Sequence, residues 1–538
     1  MSRLQSPRFL LGLIALLTAI AVQPGDLGSI DTVRRLQVTH WMWTSAPQVA
    51  PGDFPGFGVP GRNGKIYAWY GIGQSLLMLP GDMAATALTH AVPALRGKYD
   101  LRGLLLTYSL SPLICTLAVL AAFRFLQQLG FSIRQSVAGA LGLLFATTFL
   151  HYTQNMMENN LLLLLFLTGF GLQYKWLQTG SNRALAAGSI VLGSAMLVRL
   201  TTALDIVTVA VFMALAIWRS ESNSTRIIQR MFHYAKMCAP SYILFFLIDR
   251  GYHYYRFGQC CTNYIQLYGQ QQRIMDPTLP ASFPYTMPFW QGFWGPLITP
   301  EKSIFLFDPL LIIVAALAIL SWKRLAPHLK MYLGCMSILL VTYIAFHARL
   351  WFWAGDVAWG DRYVTTPVQM LALLAIPLLL RHGPELGKAF RSVALTLVCI
   401  SVLVQTESIM LPAWVEFRQM RTLGHPTLVI GLRLLNIVGL ASAEFSEKNL
   451  AKNDASVAGG TSSIYLYPFQ VVAEARHVPR WASLGFLGAW MLLVASVGVM
   501  LRRLNVVLST VPTRTETWDS SMRLVQTQPA AIVPEPFH

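Results

Sequence analysis

Charge is what this chain has least of. Of its 538 residues, 12% are Asp, Glu, Lys or Arg, about half the share of an average soluble protein. Hydrophobic residues make up 54%, and the mean hydropathy is +0.49. A soluble globular chain is excluded, and an all-α polytopic membrane protein is expected. Acid is scarcer than base, 24 residues against 41, for a formal net charge of +17. In a soluble protein that excess would point to nucleic acid. Here Lys and Arg gather in short connectors between apolar runs, the bias of cytoplasmic loops, so no nucleic-acid partner is expected. The six cysteines form no disulfide framework. Cys115, Cys238, Cys335 and Cys399 lie in apolar runs and read as small hydrophobes, while Cys260 and Cys261 are adjacent in a polar loop without zinc-ligand spacing. There is no Walker loop, dinucleotide fingerprint or HExxH motif, and the inner loops are too short for a nucleotide-sugar domain. No internal repeat is evident, which counts against inverted-repeat transporter folds.

What is present is an alternation of apolar runs with basic and non-basic connectors. The first run, Phe9–Val22, follows the basic MSRLQSPR. It could be a signal peptide, but a retained first helix is favoured because the polar loop behind it makes sense at a membrane site. That loop, 23–103, carries Asp26, Asp31, Arg34, Arg35, Asp53, Arg62 and Lys65 among Trp41, Trp43, Tyr67, Trp69 and Tyr70. Such a mixture suits amphipathic helices lying on the membrane surface. Further outer loops are expected at 251–303 and 351–362. The long run Ala186–Trp218 contains Arg199, and an arginine at mid-membrane is costly, so two short helices meeting near it at the outer side are expected. Basic connectors near 124–134, 174–183, 218–230, 322–330, 381–391 and 502–503 place the N-terminus inside and the first loop outside, with about twelve spans. Residues 1–411 then form the main transmembrane unit, 412–480 an outer polar segment, 481–501 the last span and 502–538 a disordered cytoplasmic tail.

Asp31, nine residues beyond Val22 in SIDTVRR, has two readings. It is a candidate general base for an acceptor hydroxyl, or it belongs to a helix cap in which Ser29 or Asp31 opens an amphipathic helix through Thr39. On the residues alone the cap is the commoner case.

The order of several motifs adds to this. SIDTVRRLQVTHW after the first helix, GRNGKIYAWYGIGQSLLMLPG, LVRLTT, LITPEKSIFLFDP and WFWAGDVAWGDRYVTTPV together resemble the GT-C class of membrane glycosyltransferases, in its polyprenyl-phosphate-sugar branch of protein O-mannosyltransferases and aminoarabinose transferases. The resemblance spans roughly residues 8 to 380. It implies that Asp31 is catalytic, although Thr32 stands where many members carry a second acid. Glu158 in NMMENN matches a position where relatives often have an acid; it is equally a helix-start residue favoured by the dipole. Arg62, Lys65, Lys302 and Arg362 are implied as holders of the carrier phosphate, with Arg256 a weaker candidate. His40, His151 and His347 are expected to be structural. The implied activity is transfer of a sugar from a polyprenyl-phosphate donor to an extracytoplasmic acceptor, by one inverting displacement. No metal and no cofactor are expected, the lipid-linked sugar being substrate. Membrane lipids are the other expected partners, in a bacterial inner membrane with the site on the external side. The alternative is a secondary transporter or flippase using Glu158 and Arg199 as intramembrane gating charges; a third is an inactive member serving as a scaffold.

Overall fold

The computed structural model describes residues 6–54, 56–93, 100–355, 357–423, 428–441, 463–473 and 478–510. Of the disordered tail expected at 502–538, residues 502–510 are instead helical, because the last helix, Arg480–Thr510, runs on past the expected end of its span at 501; the rest of the tail, and much of the polar segment expected at 412–480, lie outside the described residues.

The described residues are overwhelmingly helical. Helix α1, Pro7–Ala21, opens on Ser6, whose hydroxyl accepts from the Phe9 amide, with proline at the first helical position. It packs on α4, Leu101–Gln128, and on the last helix, Arg480–Thr510. Between α1 and α4 lies the first loop, which folds into α2, Ile30–Trp41, a short hairpin of β1, Val59–Pro60, and β2, Ile66–Tyr67, and then α3, Gly73–Ala91. The large first loop expected from composition thus carries two helices, α2 and α3.

Next come α5, Ile133–Ala146, and α6, Phe149–Asn155, which meet at a 56° bend. α7, Glu158–Thr179, follows after Met156, a non-glycine residue at φ 49°. The apolar run holding Arg199 breaks as expected: α8, Asn182–Ser194, gives way to two 3-10 turns and then α9, Ala203–Ser220. α10, Ser224–Phe257, is 34 residues long. At roughly 1.5 Å per residue it reaches about 50 Å, against about 30 Å of hydrocarbon, so it projects well past the apolar layer. The loop expected to begin near Gly251 is therefore helix as far as Phe257.

α11, Tyr264–Met275, and α12, Phe289–Ile298, fold within the second large loop. Six helices or helix runs are long and apolar enough to cross a membrane, seven if the bent α5–α6 pair counts as one span. By that measure the described residues do not reach the expected twelve. Some expected spans are short, as with Pro7–Ala21, and others run together, as with Thr365–Ser408, a 44-residue run that counts once. A single large apolar core joins α1, α4, α5, α7 and α9 with the later helices.

Candidate functional site

The site is built where the first loop docks on the break between α6 and α7. α2 is amphipathic and half polar, so it docks through hydrogen bonds as well as through Leu36 and Val38. The Thr32 hydroxyl donates to the Met156 carbonyl (3.2 Å), and the Ser75 hydroxyl on α3 donates to the Arg35 carbonyl (2.9 Å). Gln74 Nε2 reaches the same Met156 carbonyl at 2.9 Å. Gly28, at φ 65°, lets the chain pass so close to α6 that a Cβ there would stand 2.6 Å from Asn155 Cα. Gly71 does the same at the other break: its Cβ would lie 2.4 Å from the Leu197 carbonyl oxygen. Both approaches require a missing side chain.

The result is a cavity of about 480 Å³. Five arginines line it (35, 199, 250, 256 and 362) against three carboxylates (Asp31, Glu158 and Asp249), a formal surplus of two positive charges. Asp31 is not the cap of α2. That role belongs to Ser29, whose hydroxyl accepts from the Thr32 amide, and Asp31 sits at the second helical position, within the first turn, where it lines the cavity. Its Oδ1 accepts from the Tyr70 hydroxyl (2.7 Å) and its Oδ2 from Arg362 Nη1 (2.7 Å). Arg362 thus pairs with Asp31 rather than with its neighbour Asp361, which accepts from the Tyr363 amide. Glu158, the first residue of α7, is held between Arg35 (2.8 Å) and Arg199. The two charges that the transporter alternative would use as gates are therefore ion-paired with each other.

Burying such a cluster is costly. The side chains of Arg35, Glu158 and Arg199 are all under one-tenth exposed, and a buried ion cluster is often no more stable than apolar residues of the same volume. It is also incompletely satisfied: Nε and Nη1 of Arg35 and Nε of Arg362 are buried with no hydrogen-bond partner among the described residues. Buried guanidinium N–H groups left over after the carboxylates are served fit an anion with several acceptor oxygens.

Burial alone would raise the Asp31 carboxyl, but Arg362 and then Arg35 outweigh it and hold it below its ordinary 3.8. Tyr70, pushed well up by its own burial and by Asp31, stays protonated and donates. Because the folded carboxyl is depressed, its contribution to stability is present above about pH 3.8 and lost as pH falls through the lower folded value. A pH profile of kcat/KM should accordingly show no Asp31 ionisation between about pH 5 and 8; an acid limb in that range that vanishes in the Asp31→Asn variant would contradict this pairing.

Of the other residues singled out in the sequence, only Arg256 lines the cavity. Arg62 and Lys65 are exposed at the tip of the β1–β2 hairpin and do not line the cavity. The turn, with Asn63 at φ 61° and Gly64 at 68°, buries Tyr67 and leaves its basic tip outside; the Arg62 guanidinium lies 5.3 Å from the Tyr254 ring. Lys302 is buried and donates to the Ala358 (2.5 Å) and Gly360 (3.1 Å) carbonyls, fixing the loop that precedes Arg362. Arg256, the weaker candidate, lines the cavity, and it donates to the Ala68 and Tyr70 carbonyls, so it holds the segment after β2 that presents Tyr70. The histidines have structural partners: His40 meets Asp82 (2.9 Å), and His347 stacks under Tyr363 at 4.5 Å between ring centroids.

No family model matches the chain, and no curated protein sequence matches it. Among solved structures, the chain is similar to the crystal structure of ArnT from Cupriavidus metallidurans bound to undecaprenyl phosphate, at 13% identity and a TM-score of 0.36, with 95% of this chain and 74% of that chain covered. At that level the likeness carries no residue from one protein to the other, and the site is read from its own side chains.

Three residues of the site escaped the sequence reading. Arg35 stands four residues after Asp31, the helical spacing that puts both on one face, and its guanidinium lies 4.6 Å from the Tyr70 ring. Tyr70 reads in the sequence only as one of the loop's interleaved aromatics. Tyr363, approached by Arg199 (5.5 Å) and Arg362 (5.4 Å), adjoins a residue already singled out and had no signal of its own.

Proposed function

We propose that the chain is a GT-C-type transferase that moves a sugar from a polyprenyl-phosphate carrier to an extracytoplasmic acceptor. The observation that carries this reading is a carboxylate, Asp31, set in a cavity beside buried guanidinium N–H groups that their own partners do not use. Asp31 accepts the proton of an acceptor hydroxyl. The freed oxygen attacks the anomeric carbon, and the bond from that carbon to the phosphate oxygen breaks, its electron pair staying on the phosphate. Configuration inverts in this single displacement. Charge grows on the leaving phosphate, and that is where Arg35 and Arg362 act: a preorganised guanidinium stabilises developing negative charge without reorganising at the moment of reaction. Glu158 and Arg199 hold Arg35 and the floor of the cavity in place. Aromatic side chains at the rim, Phe57, Trp69, Trp351 and Phe352, offer faces for the sugar and the first isoprene units.

The reading is tested by supplying purified protein with a panel of radiolabelled polyprenyl-phosphate sugars and following release of polyprenyl phosphate and label transfer. No turnover with any donor, together with no binding of a polyprenyl phosphate, would remove it. Among the described residues no three His, Cys, Asp or Glu side chains converge as ligands, and both inner carboxylates already face arginines. Transfer is expected to persist in excess EDTA. Loss of activity restored by one divalent ion would mean that the phosphate is held differently.

A further inference from the structure

Two thiols in the loop between α10 and α11 belong to none of this chemistry. Cys260 and Cys261 are both exposed, and their Sγ atoms stand 3.6 Å apart. The backbone around them is held from both sides. Arg250, on the projecting end of α10, donates Nη1 to the Cys260 carbonyl (3.1 Å) and to the Thr262 carbonyl (3.0 Å). The Thr262 hydroxyl lies 2.8 Å from His253 Nε2. Asn263 then caps α11 in a reciprocal box with Gln266. Arg250, His253, Asn263 and Tyr264 all line the cavity, so a change at the two thiols is felt by cavity residues within three positions.

We propose that Cys260 and Cys261 form a dithiol site that closes to a vicinal disulfide by exchange with a small-molecule disulfide, resetting the loop that brings Asn263 and Tyr264 to the cavity. One thiolate attacks the small disulfide and releases one thiol, leaving a mixed disulfide. The second thiolate attacks the protein-bound sulfur and releases the other thiol. Two electrons pass from the cysteines to the small disulfide, and the two cysteine protons leave with the two released thiols. The sulfurs must close from 3.6 Å to about 2.05 Å. Adjacent Cα atoms are only about 3.8 Å apart, below the usual disulfide range of about 4.4–6.8 Å, so the intervening peptide must turn. The contact that gives way is the bond from Arg250 to the Cys260 carbonyl. A bridge so constrained belongs to the easily reduced, reversible kind. On the topology expected from the basic connectors, the loop faces outward, where disulfides persist.

The test uses the full-length protein incubated with oxidised glutathione, alkylated with N-ethylmaleimide and digested with trypsin. The peptide 257–273 holds these two cysteines and no others. It is expected to appear two hydrogens lighter, without alkyl or glutathionyl groups, and to regain both thiols with dithiothreitol. In Cys260→Ser and Cys261→Ser the lighter species should be lost. Coupling to the cavity is read by hydrogen exchange: amides at the start of α11 should exchange faster in the oxidised protein and unchanged in the two variants. A doubly alkylated peptide, two retained glutathione adducts, or a link between two chains would overturn the site; a closed bridge with unaltered exchange would overturn its coupling to the cavity. Neither arm depends on the sugar transfer proposed above.

Discussion

Replacing Asp31 by asparagine is expected to leave a folded protein that still binds a polyprenyl phosphate but transfers sugar about 10²–10⁴-fold more slowly, the usual contribution of a positioned base. Asparagine keeps the size of the side chain and an oxygen that can accept from Tyr70, but it has no charge to balance Arg362 and no basic oxygen for a hydroxyl proton. Read as a helix cap, Asp31 would tolerate this change with no loss of stability. Ser29 fills that role instead, and Asp31 forms the ion pair with Arg362 at 2.7 Å. Some destabilisation is therefore expected, on the order of 1.5–3 kcal/mol for a lost hydrogen bond to a charged group. The control is Ser29→Ala, which removes the actual cap at a cost of about 1 kcal/mol and should leave turnover nearly intact. Measuring transfer rate, lipid binding and Tm for both variants separates base from scaffold. An Asp31→Asn protein with turnover within a few-fold of the parent would end the assignment, and Glu158 would be the next carboxylate to consider.

Local signals in the sequence carry a long way here. Hydropathy and the basic connectors predict the helical, polytopic class; the cost of Arg199 in an apolar run predicts the helix break around it; and Asp31 is singled out by the motif resemblance alone, since its position by itself favours a helix cap. What the sequence does not display is which charges meet. Arg362 joins Asp31 across 331 positions, and its sequence neighbour Asp361 offered a closer but wrong partner. Arg62 and Lys65 share a motif with Tyr70, yet the hairpin turn sends the two cations to the surface and the tyrosine to the carboxylate. Basic side chains on a loop look alike in sequence, and whether they face solvent, a carbonyl or a cavity is decided by tertiary packing. Lys302 illustrates the carbonyl case. The end of α10 was obscured for another reason. Charged and aromatic residues from Gly251 to Arg256 read as loop beyond a span, and only the continuation of the helix turns Arg250, His253 and Arg256 to one cavity.

The neighbouring arginines 34 and 35 make the sharpest test of that packing. Successive residues on a helix point about 100° apart, and these two separate completely. Arg34 turns away to pair with Asp53, with its guanidinium 4.5 Å from the Phe57 ring. Arg35 faces Glu158 at 2.8 Å and keeps two buried nitrogens, Nε and Nη1, without hydrogen-bond partners among the described residues. If those positions serve the carrier phosphate, Arg35→Gln removes a preorganised donor, and kcat should fall by about 10²–10³-fold, as when one transition-state donor is deleted. Arg34→Gln loosens a pair in which Asp53 is 26% exposed, worth up to about 1 kcal/mol, and should change kcat only a few-fold through Phe57. Removing Arg35 also leaves Glu158 with one counter-charge instead of two, so lost activity must be distinguished from lost structure. Arg35→Lys supplies that distinction: it keeps the charge beside Glu158 but not the planar fork. It should restore most of the Tm and only part of the rate. Equal losses from Arg34→Gln and Arg35→Gln, or full rescue of the rate by lysine, would show that the phosphate does not depend on the Arg35 fork.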